Sequence, residues 1–418
     1  MEPREERAEG RKSSEKKTCD LQHQGTTQAR NEGRYREAVP SLLFWYDYNA
    51  RFLPWREDPT PYHVWISEIM LQQTRVEAVR AYYDRFLTEL PDVQSVAEAS
   101  EDRLVKLWEG LGYYSRVRNI AKAAKVLCDK HNGQLPADYA LLRELPGIGD
   151  YTAGAIASIA FGIPVPAVDG NVLRVFARVT GYRGDIRSDS FKKQVGEQLL
   201  QAISAYTEEQ NEKSRGKCAE EKTIPGAPVA HQTKVQSAPG RFNQAVMDLG
   251  ATVCIPNGKP HCEDCPLSHL CAAFGEDLTA EIPAKTEKKA RPVEKRTVLV
   301  ITDGERVLLH RRPEKGLLAG MWEFPGVDGE LSPAAAKKAA AGILRRESEE
   351  KDLHAKRLPD SRHVFSHVEW EMRGYRIDVP ETIAPEAEYS WATPREIREE
   401  RGVASAFRTY RDLVLKGI

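Results

Sequence analysis

From about residue 37 to residue 203 the apolar side chains recur at helical spacing, as in Val117, Ile120, Ala121, Ala124 and Leu127, punctuated by Gly and Pro. After residue 297 the pattern changes. Thr297 to Ile301 and Arg306 to His310 are β-rich runs separated by Asp303-Gly304, a hairpin signal. A helical stretch from Ala334 to Arg346 follows, then strand patterns at Arg362 to His367 and Glu369 to Val379. One chain therefore carries an all-α part followed by an α+β part, with no internal repeat. Its 418 residues, 41% of them hydrophobic, suit two or three folded units rather than one core.

The segments between these patterns set the expected boundaries. Residues 1–36 mix charges with almost no large apolar side chains, which predicts a disordered tail. An all-α domain is expected over 37–275, interrupted by a flexible surface insertion at 207–240 that carries Glu208, Glu209, Lys213, Lys217, Pro225 and Pro228. The charged stretch 276–296, with Pro283 and Pro292, reads as a linker to the domain 297–418. Basic and acidic residues nearly balance, 61 against 62, so any nucleic-acid surface must be local. No run approaches the ~20 apolar residues of a membrane span and the start lacks a secretory apolar core, so an intracellular protein without a membrane partner is expected.

Four groups of residues carry chemistry. In Leu145-Pro146-Gly147-Ile148-Gly149-Asp150, between two helical patterns, Gly147 and Gly149 let the backbone approach a ligand, and the second helix presents free N–H groups. A phosphate fits there, and so does a plain helix-turn-helix connection. Asp169 opens the amphipathic helix of Val172, Val175, Phe176 and Val179, where an N-cap and a functional carboxylate are both available readings. Glu68 has Val64, Trp65 and Leu71 at helical offsets, an apolar face whose burial would raise its pKa and keep a proton available for transfer near neutral pH; a solvent-exposed glutamate has the same periodicity. Finally, Cys254, Cys262, Cys265 and Cys271 have the spacing C-x7-C-x2-C-x5-C, which suits iron-sulfur or zinc and, in a reducing compartment, precedes disulfides as a reading.

Together these residues resemble the helix-hairpin-helix superfamily of DNA glycosylases and, within it, the MutY family of adenine glycosylases. The matching stretches are Leu53 to Arg56 (LPWR), Trp65 to Thr74 (WISEIMLQQT), Gly110 to Arg116 (GLGYYSR) and Tyr151 to Ile156 (YTAGAI). With the cysteines and the C-terminal domain, the resemblance covers nearly all of 37–418. It implies that Glu68 is the acid/base and Asp169 the stabilising carboxylate, helped by Tyr151 and Asn171. It also implies DNA contacts at Gln73, Leu111, Tyr113, Gly147 and Gly149, with Gln73 and Tyr113 intercalating, and an adenine pocket touching Arg56 and Asp248. For the cysteines it implies a [4Fe-4S] cluster, although the family's first gap is usually six residues and Ile255 to His261 makes seven.

The related endonuclease III branch carries a lysine nucleophile where this chain has Tyr151, so the resemblance implies a monofunctional glycosylase rather than a lyase. Leu317 to Gly326 (LLAGMWEFPG) is similar to the entrance of the family's Nudix-like domain. Its pyrophosphatase helix is only partly matched by Arg346 to Lys351, with Lys351 where a glutamate is expected. Phe365-Ser366-His367 matches the loop that reads 8-oxoguanine opposite the target adenine. The implied function is removal, by a monomer, of adenine from A:8-oxoG or A:G mispairs in double-stranded DNA during base excision repair. The implied setting is cytoplasm and nucleoid in a bacterium, or nucleus or mitochondrion in a eukaryote.

Overall fold

A computed structural model describes residues 29–216, 237–284, 290–345, 353–379 and 388–417. Helices come first: α1 (29–49), α2 (Pro54–Glu57), α3 (Pro61–Leu71), α4 (Val76–Glu89), α5 (Val93–Glu98), α6 (Glu101–Leu107) and α7 (Ser115–His131). Then follow α8 (Tyr139–Arg143), α9 (Asp150–Phe161), α10 (Gly170–Thr180), α11 (Asp189–Gly216), α12 (Ala238–Thr252) and the short α13 (Ala272–Gly275). The chain divides into two compact units, Met1–Ile69 with Leu135–Thr286, and Met70–Gln134 with Glu287–Ile418.

In the first unit, α1, α10, α11 and α12 share a core in which Tyr35 stacks on Phe176 and Val175, Leu199, Phe242 and Leu249 are buried. Helix α9 is buried along most of its length, and Gly154 is required within it because a Cβ there would meet the Pro166 carbonyl oxygen at 2.4 Å. Gly162 and Gly181, both left-handed, end α9 and α10.

The second unit combines helices α4–α7 with the C-terminal domain. That domain runs β1 (Val293–Thr302), β2 (Val307–Arg311), β3 (Trp322–Glu323), β4 (Gly326–Asp328), α14 (Pro333–Ile343), β5 (His354–Val364), β6 (Glu369–Asp378), β7 (Tyr389–Ala392), α15 (Pro394–Glu399) and α16 (Arg408–Leu415). The sheet order is β3-β2-β1-β6-β5, with β4 on β1 and β7 on β2. β1 and β6 are parallel, from Val293 opposite Glu369 to Thr302 opposite Asp378, so the sheet is mixed. Asp303-Gly304 does turn the chain between the antiparallel β1 and β2: Asp303 accepts from the Glu305 and Arg306 amides while Gly304 takes φ +97°. Ala336, Ala340 and Ala341 of α14 pack on Leu299, Ile301 and Tyr375 of the sheet.

The boundaries differ from the sequence expectations in three places, each where a few apolar side chains anchor a polar-looking stretch. Helix α1 begins at residue 29, inside the expected tail, because Tyr35 is buried against the core; residues 1–28 lie outside the described residues. Helix α11 continues through the first part of the expected insertion to Gly216 and α12 starts at Ala238, leaving 217–236 outside the described residues. In the expected linker, Leu278 and Ile282 pack on the core of the first unit and β1 starts at Val293. The partly matched pyrophosphatase helix, 346–351, also lies outside the described residues.

Candidate active site

The carboxylates sit on two helices of the first unit. Glu68, on α3 between the buried Trp65 and Ile69, is only 4% exposed. Tyr151, in the first turn of α9, donates its phenol to Glu68 Oε2 at 2.8 Å. Burial pushes the Glu68 carboxyl up to about 7, against the opposing pull of the Tyr151 hydrogen bond and of Arg56, and the charge of Asp169 adds to the rise. Around neutral pH Glu68 thus exists as both acid and base. Burial also drives the Tyr151 phenol well above its ordinary range, so this donor stays neutral.

Asp169 is the N-cap of α10. Its Oδ1 accepts from the Asn171 and Val172 amides at 2.9 and 2.8 Å, and Oδ2 from Asn171 Nδ2 at 2.7 Å. Burial raises its pKa, while those three donors and Arg174 hold the rise back. The capping and functional readings are therefore compatible, since one carboxylate can cap the helix and still present negative charge. Asn171 is itself oriented by Arg174, whose Nη2 donates to Asn171 Oδ1 and to the Gly250 carbonyl, both at 2.8 Å.

Arg56 and Asp248, the two expected adenine-pocket residues, are paired with each other, Arg56 Nη1 and Nη2 donating to the two Asp248 oxygens at 2.7 and 2.9 Å. Sequence reasoning missed the third member, Arg51, whose Nε donates to Asp248 Oδ1 at 2.7 Å. Asp248 is fully buried; desolvation alone would raise its carboxyl, but Arg56 and Arg51 together hold it below the ordinary range. The arrangement leaves a fixed guanidinium pair around one anion.

In the second unit, Gln73 and Tyr113 each stand at the tip of a loop with φ of +57° and +49°, and Tyr113 is 45% exposed. Left-handed backbone at two non-glycine residues needs support. Arg116 supplies it, a role sequence reading overlooked. Its guanidinium donates to the carbonyls of Met70 (2.9 Å), Gln72 (2.7 Å), Leu111 and Gly112 (3.1 Å each) and to Thr74 Oγ1 (3.1 Å), so one buried side chain ties both loops together. Burial lowers Arg116 to about 10, which leaves it charged at neutral pH. Leu111 is buried and serves this clasp through its carbonyl.

The hairpin 145–150 closes with Ile148 N on the Leu145 carbonyl at 3.1 Å and Gly147 at φ +80°, while buried Leu145 and Ile148 anchor it. Gly147 and Gly149 are exposed at the start of the twelve-residue α9. The 365–367 loop is a tight turn between β5 and β6, closed by Phe365 N on the Val368 carbonyl at 2.9 Å. Phe365 packs edge-on against Trp370 and His363, and Ser366 and His367 project as exposed polar groups.

Cys254, Cys262, Cys265 and Cys271 line one cavity together with Arg178 and Leu249. Among the described residues no three His, Cys, Asp or Glu groups converge closely enough for a single metal ion. A multinuclear cluster takes each thiolate at a separate corner and needs thiols around a space, as here. Burial pushes the Cys265 thiol up to about 12 and raises Cys262 and Cys271, so thiolates in this cavity call for a bound cationic partner. Arg178 Nη1 approaches Cys254 Sγ at 3.2 Å. The soft donor set and the cavity fit a sulfur-rich cluster. The segment between Cys254 and Cys262 makes an exposed turn with Gly258 at φ +82°, and His261 N on the Val253 carbonyl (3.0 Å) closes it.

Residues 66–201 match the profile of the HhH-GPD superfamily of base excision DNA repair proteins, and residues 297–413 that of a NUDIX domain. The human adenine DNA glycosylase is 33% identical over an alignment that covers 89% of this chain and 73% of the human protein. The chain belongs to the adenine DNA glycosylase family. The adenine DNA glycosylase of Buchnera aphidicola from Schizaphis graminum is also 33% identical, with 78% of this chain and 83% of that protein covered. Among solved structures, a thermostable thymine-DNA glycosylase is 25% identical, with 58% of this chain and 98% of that one aligned at a TM-score of 0.46. By its family and its two profile matches, the chain is a base excision repair enzyme with a helical glycosylase part and a Nudix-like C-terminal domain. No helix among the described residues is long and apolar enough to cross a membrane.

Proposed function

We propose that this adenine DNA glycosylase hydrolyses the bond between adenine and deoxyribose in A:8-oxoG and A:G mispairs, as a monomer and without cutting the strand. The observation that carries the chemistry is a carboxyl, Glu68, held at a pKa of about 7 beside a second carboxylate. Protonated Glu68 gives its proton to a ring nitrogen of the extruded adenine. The glycosidic electron pair leaves with the base, and Asp169 faces the positive charge that develops on the sugar. Water then adds to the anomeric carbon, and its proton passes to the now ionised Glu68. Asn171 orients Asp169, and Tyr151 orients Glu68. Tyr151 offers no amine for a Schiff base, which supports a monofunctional reaction.

Other groups take up the DNA. Gln73 and Tyr113 fill the space of the extruded base, and Gly147 and Gly149 offer backbone amides to a phosphate. Arg51, Arg56 and Asp248 border the adenine pocket. Ser366 and His367, with Phe365 as their support, contact the lesion; a serine hydroxyl can accept from the ring N–H that oxidation of guanine creates. A [4Fe-4S] cluster held by Cys254, Cys262, Cys265 and Cys271 would supply a rigid structural anchor beside α10. The test is incubation with duplexes holding A:8-oxoG, A:G or A:T: free adenine from the mispairs, with intact strands until alkali is added, is expected. Strand cleavage without alkali, or no adenine release, overturns the reading.

A further inference from the structure

One face of α6 has no role in the site described above, yet it carries several side-chain contacts to the C-terminal domain within the second unit. Leu104, Leu107 and Trp108 face the helices, where Trp108 meets Phe86 edge-on. Asp102, Val105, Lys106 and Glu109, spaced for the opposite side of the helix, all meet the C-terminal domain. Lys106 Nζ donates to the Ile397 carbonyl at 2.8 Å, reaches the Arg401 carbonyl at 3.5 Å, and pairs with Glu109 at 2.6 Å. It thereby places a cation on the Ile397 carbonyl in the last turn of α15. Glu109 also pairs with Arg411 of α16, and Asp102 lies 3.8 Å from Arg311. Val105 fills the space over Gly402, where a Cβ would come within 2.6 Å of Val105 Cγ1.

From this face, contacts run in both directions. Arg411 sits on α16, whose N-cap is Phe407; Phe407 packs on Trp370, and Trp370 on Phe365 of the 365–367 loop. On the other side, Trp108 Nε1 donates to the Gly112 carbonyl at 3.1 Å, next to Tyr113. We propose that Val105, Lys106 and Glu109 form a docking latch that holds the 365–367 loop and the Tyr113 loop at a set separation before DNA arrives, making these three positioning residues for mispair preference. The proposal rests on the reading of 365–367 as the lesion-contacting loop. Opening the latch populates conformers in which the lesion loop is misplaced, and if the docked fraction falls to about a tenth, the preference for A:8-oxoG falls about tenfold.

The test is a size exchange in the full-length protein. Gly402→Ala puts a methyl against Val105, and Val105→Ala in the same chain makes room for it. Hydrogen exchange without DNA is followed in peptides spanning 101–110 and 394–404, with β1 and β6 as controls for an intact domain, and single-turnover release is measured on A:8-oxoG and A:G. Gly402→Ala is expected to speed exchange in both peptides but not in the sheet, to lower the A:8-oxoG preference, and to leave release from A:G unchanged, with all effects reversed in the double variant. Unchanged exchange, faster exchange with full preference, or failure of the double variant to restore either measurement overturns the latch. Ser366→Ala/His367→Ala is run in parallel: if that change leaves preference intact, the lesion-loop reading fails, while the exchange data still decide whether the domains are latched.

Discussion

A carboxyl that must hold a proton near neutral pH has to be costly to ionise, and Glu68 meets that demand by burial rather than by a crowd of anions. Glu68→Gln keeps the shape and the acceptor for Tyr151 but removes the transferable proton. Single-turnover adenine release should drop by roughly 10²- to 10⁴-fold with duplex binding retained; unimpaired release would remove Glu68 from the reaction. In the unchanged enzyme the rate should fall as pH rises through about 7, the value to which burial pushes this carboxyl. The same shift acts on stability. Because the folded protein holds the Glu68 proton more tightly than the unfolded chain does, the stability present below the ordinary value of 4.5 is lost as pH rises through about 7. Glu68→Gln should therefore be more stable than the parent above pH 8, by up to about 3 kcal/mol, which denaturant melts at pH 5 and pH 8.5 would show or refute. Arg116 carries the opposite liability, since five oxygens depend on one guanidinium. Arg116→Lys keeps the charge and loses the fork, so it should destabilise the protein by about 2–4 kcal/mol and slow release from duplex DNA. A melting temperature equal to the parent's would show that the clasp does not hold the loops.

At the scale of elements, what could be read in advance was what depends on local pattern. The apolar neighbours of Glu68 offered burial as one of two readings, the position of Asp169 before Val172 offered a cap beside a functional role, and Asp303-Gly304 signalled a hairpin. What could not be read depends on partners distant in sequence. Nothing in the polar stretch around Tyr35 shows that Phe176 waits to stack on it, so the start of α1 was hidden. Arg51 and Arg116 look like surface arginines until Asp248 and the carbonyls of two loops are brought to them. The cysteine segment lies between these cases: its spacing is local, but its cavity is shared with α10 through Arg178. Protein prepared without oxygen should contain iron and acid-labile sulfide, and stoichiometric zinc with no iron would exclude the cluster. Cys262→Ser should then weaken binding to duplex DNA, measured at fixed salt, while the melting of residues 297–418 stays as in the parent. Loss of both together would mean that the cysteine segment supports the whole chain rather than the glycosylase part.

At the scale of the molecule, the contact pattern crosses the order of the sequence. Helices α4–α7 share a unit with the C-terminal domain, whereas Glu68, Tyr151, Asp169 and Asp248 all belong to the other unit. On the proposed roles, bond cleavage and lesion contact belong to different units, and they should separate on mutation. Ser366 and His367 are exposed, their side chains meet each other, Arg291 Nε donates to the Ser366 carbonyl, and the turn closes through the backbone of Phe365 and Val368. Replacing both with Ala should therefore leave the turn and the chemistry intact while removing one or two hydrogen bonds to the damaged base. That loss should lower the preference for A:8-oxoG over A:G by on the order of 1–3 kcal/mol, roughly 5- to 150-fold. Single-turnover release on both duplexes measures it, with affinity determined separately at one ionic strength because phosphate contacts dominate raw binding. Full retention of the preference would return the loop to a structural turn. An equal loss on both substrates would instead place it in catalysis or folding, since a group that reads only the lesion has no reason to slow release opposite an ordinary guanine.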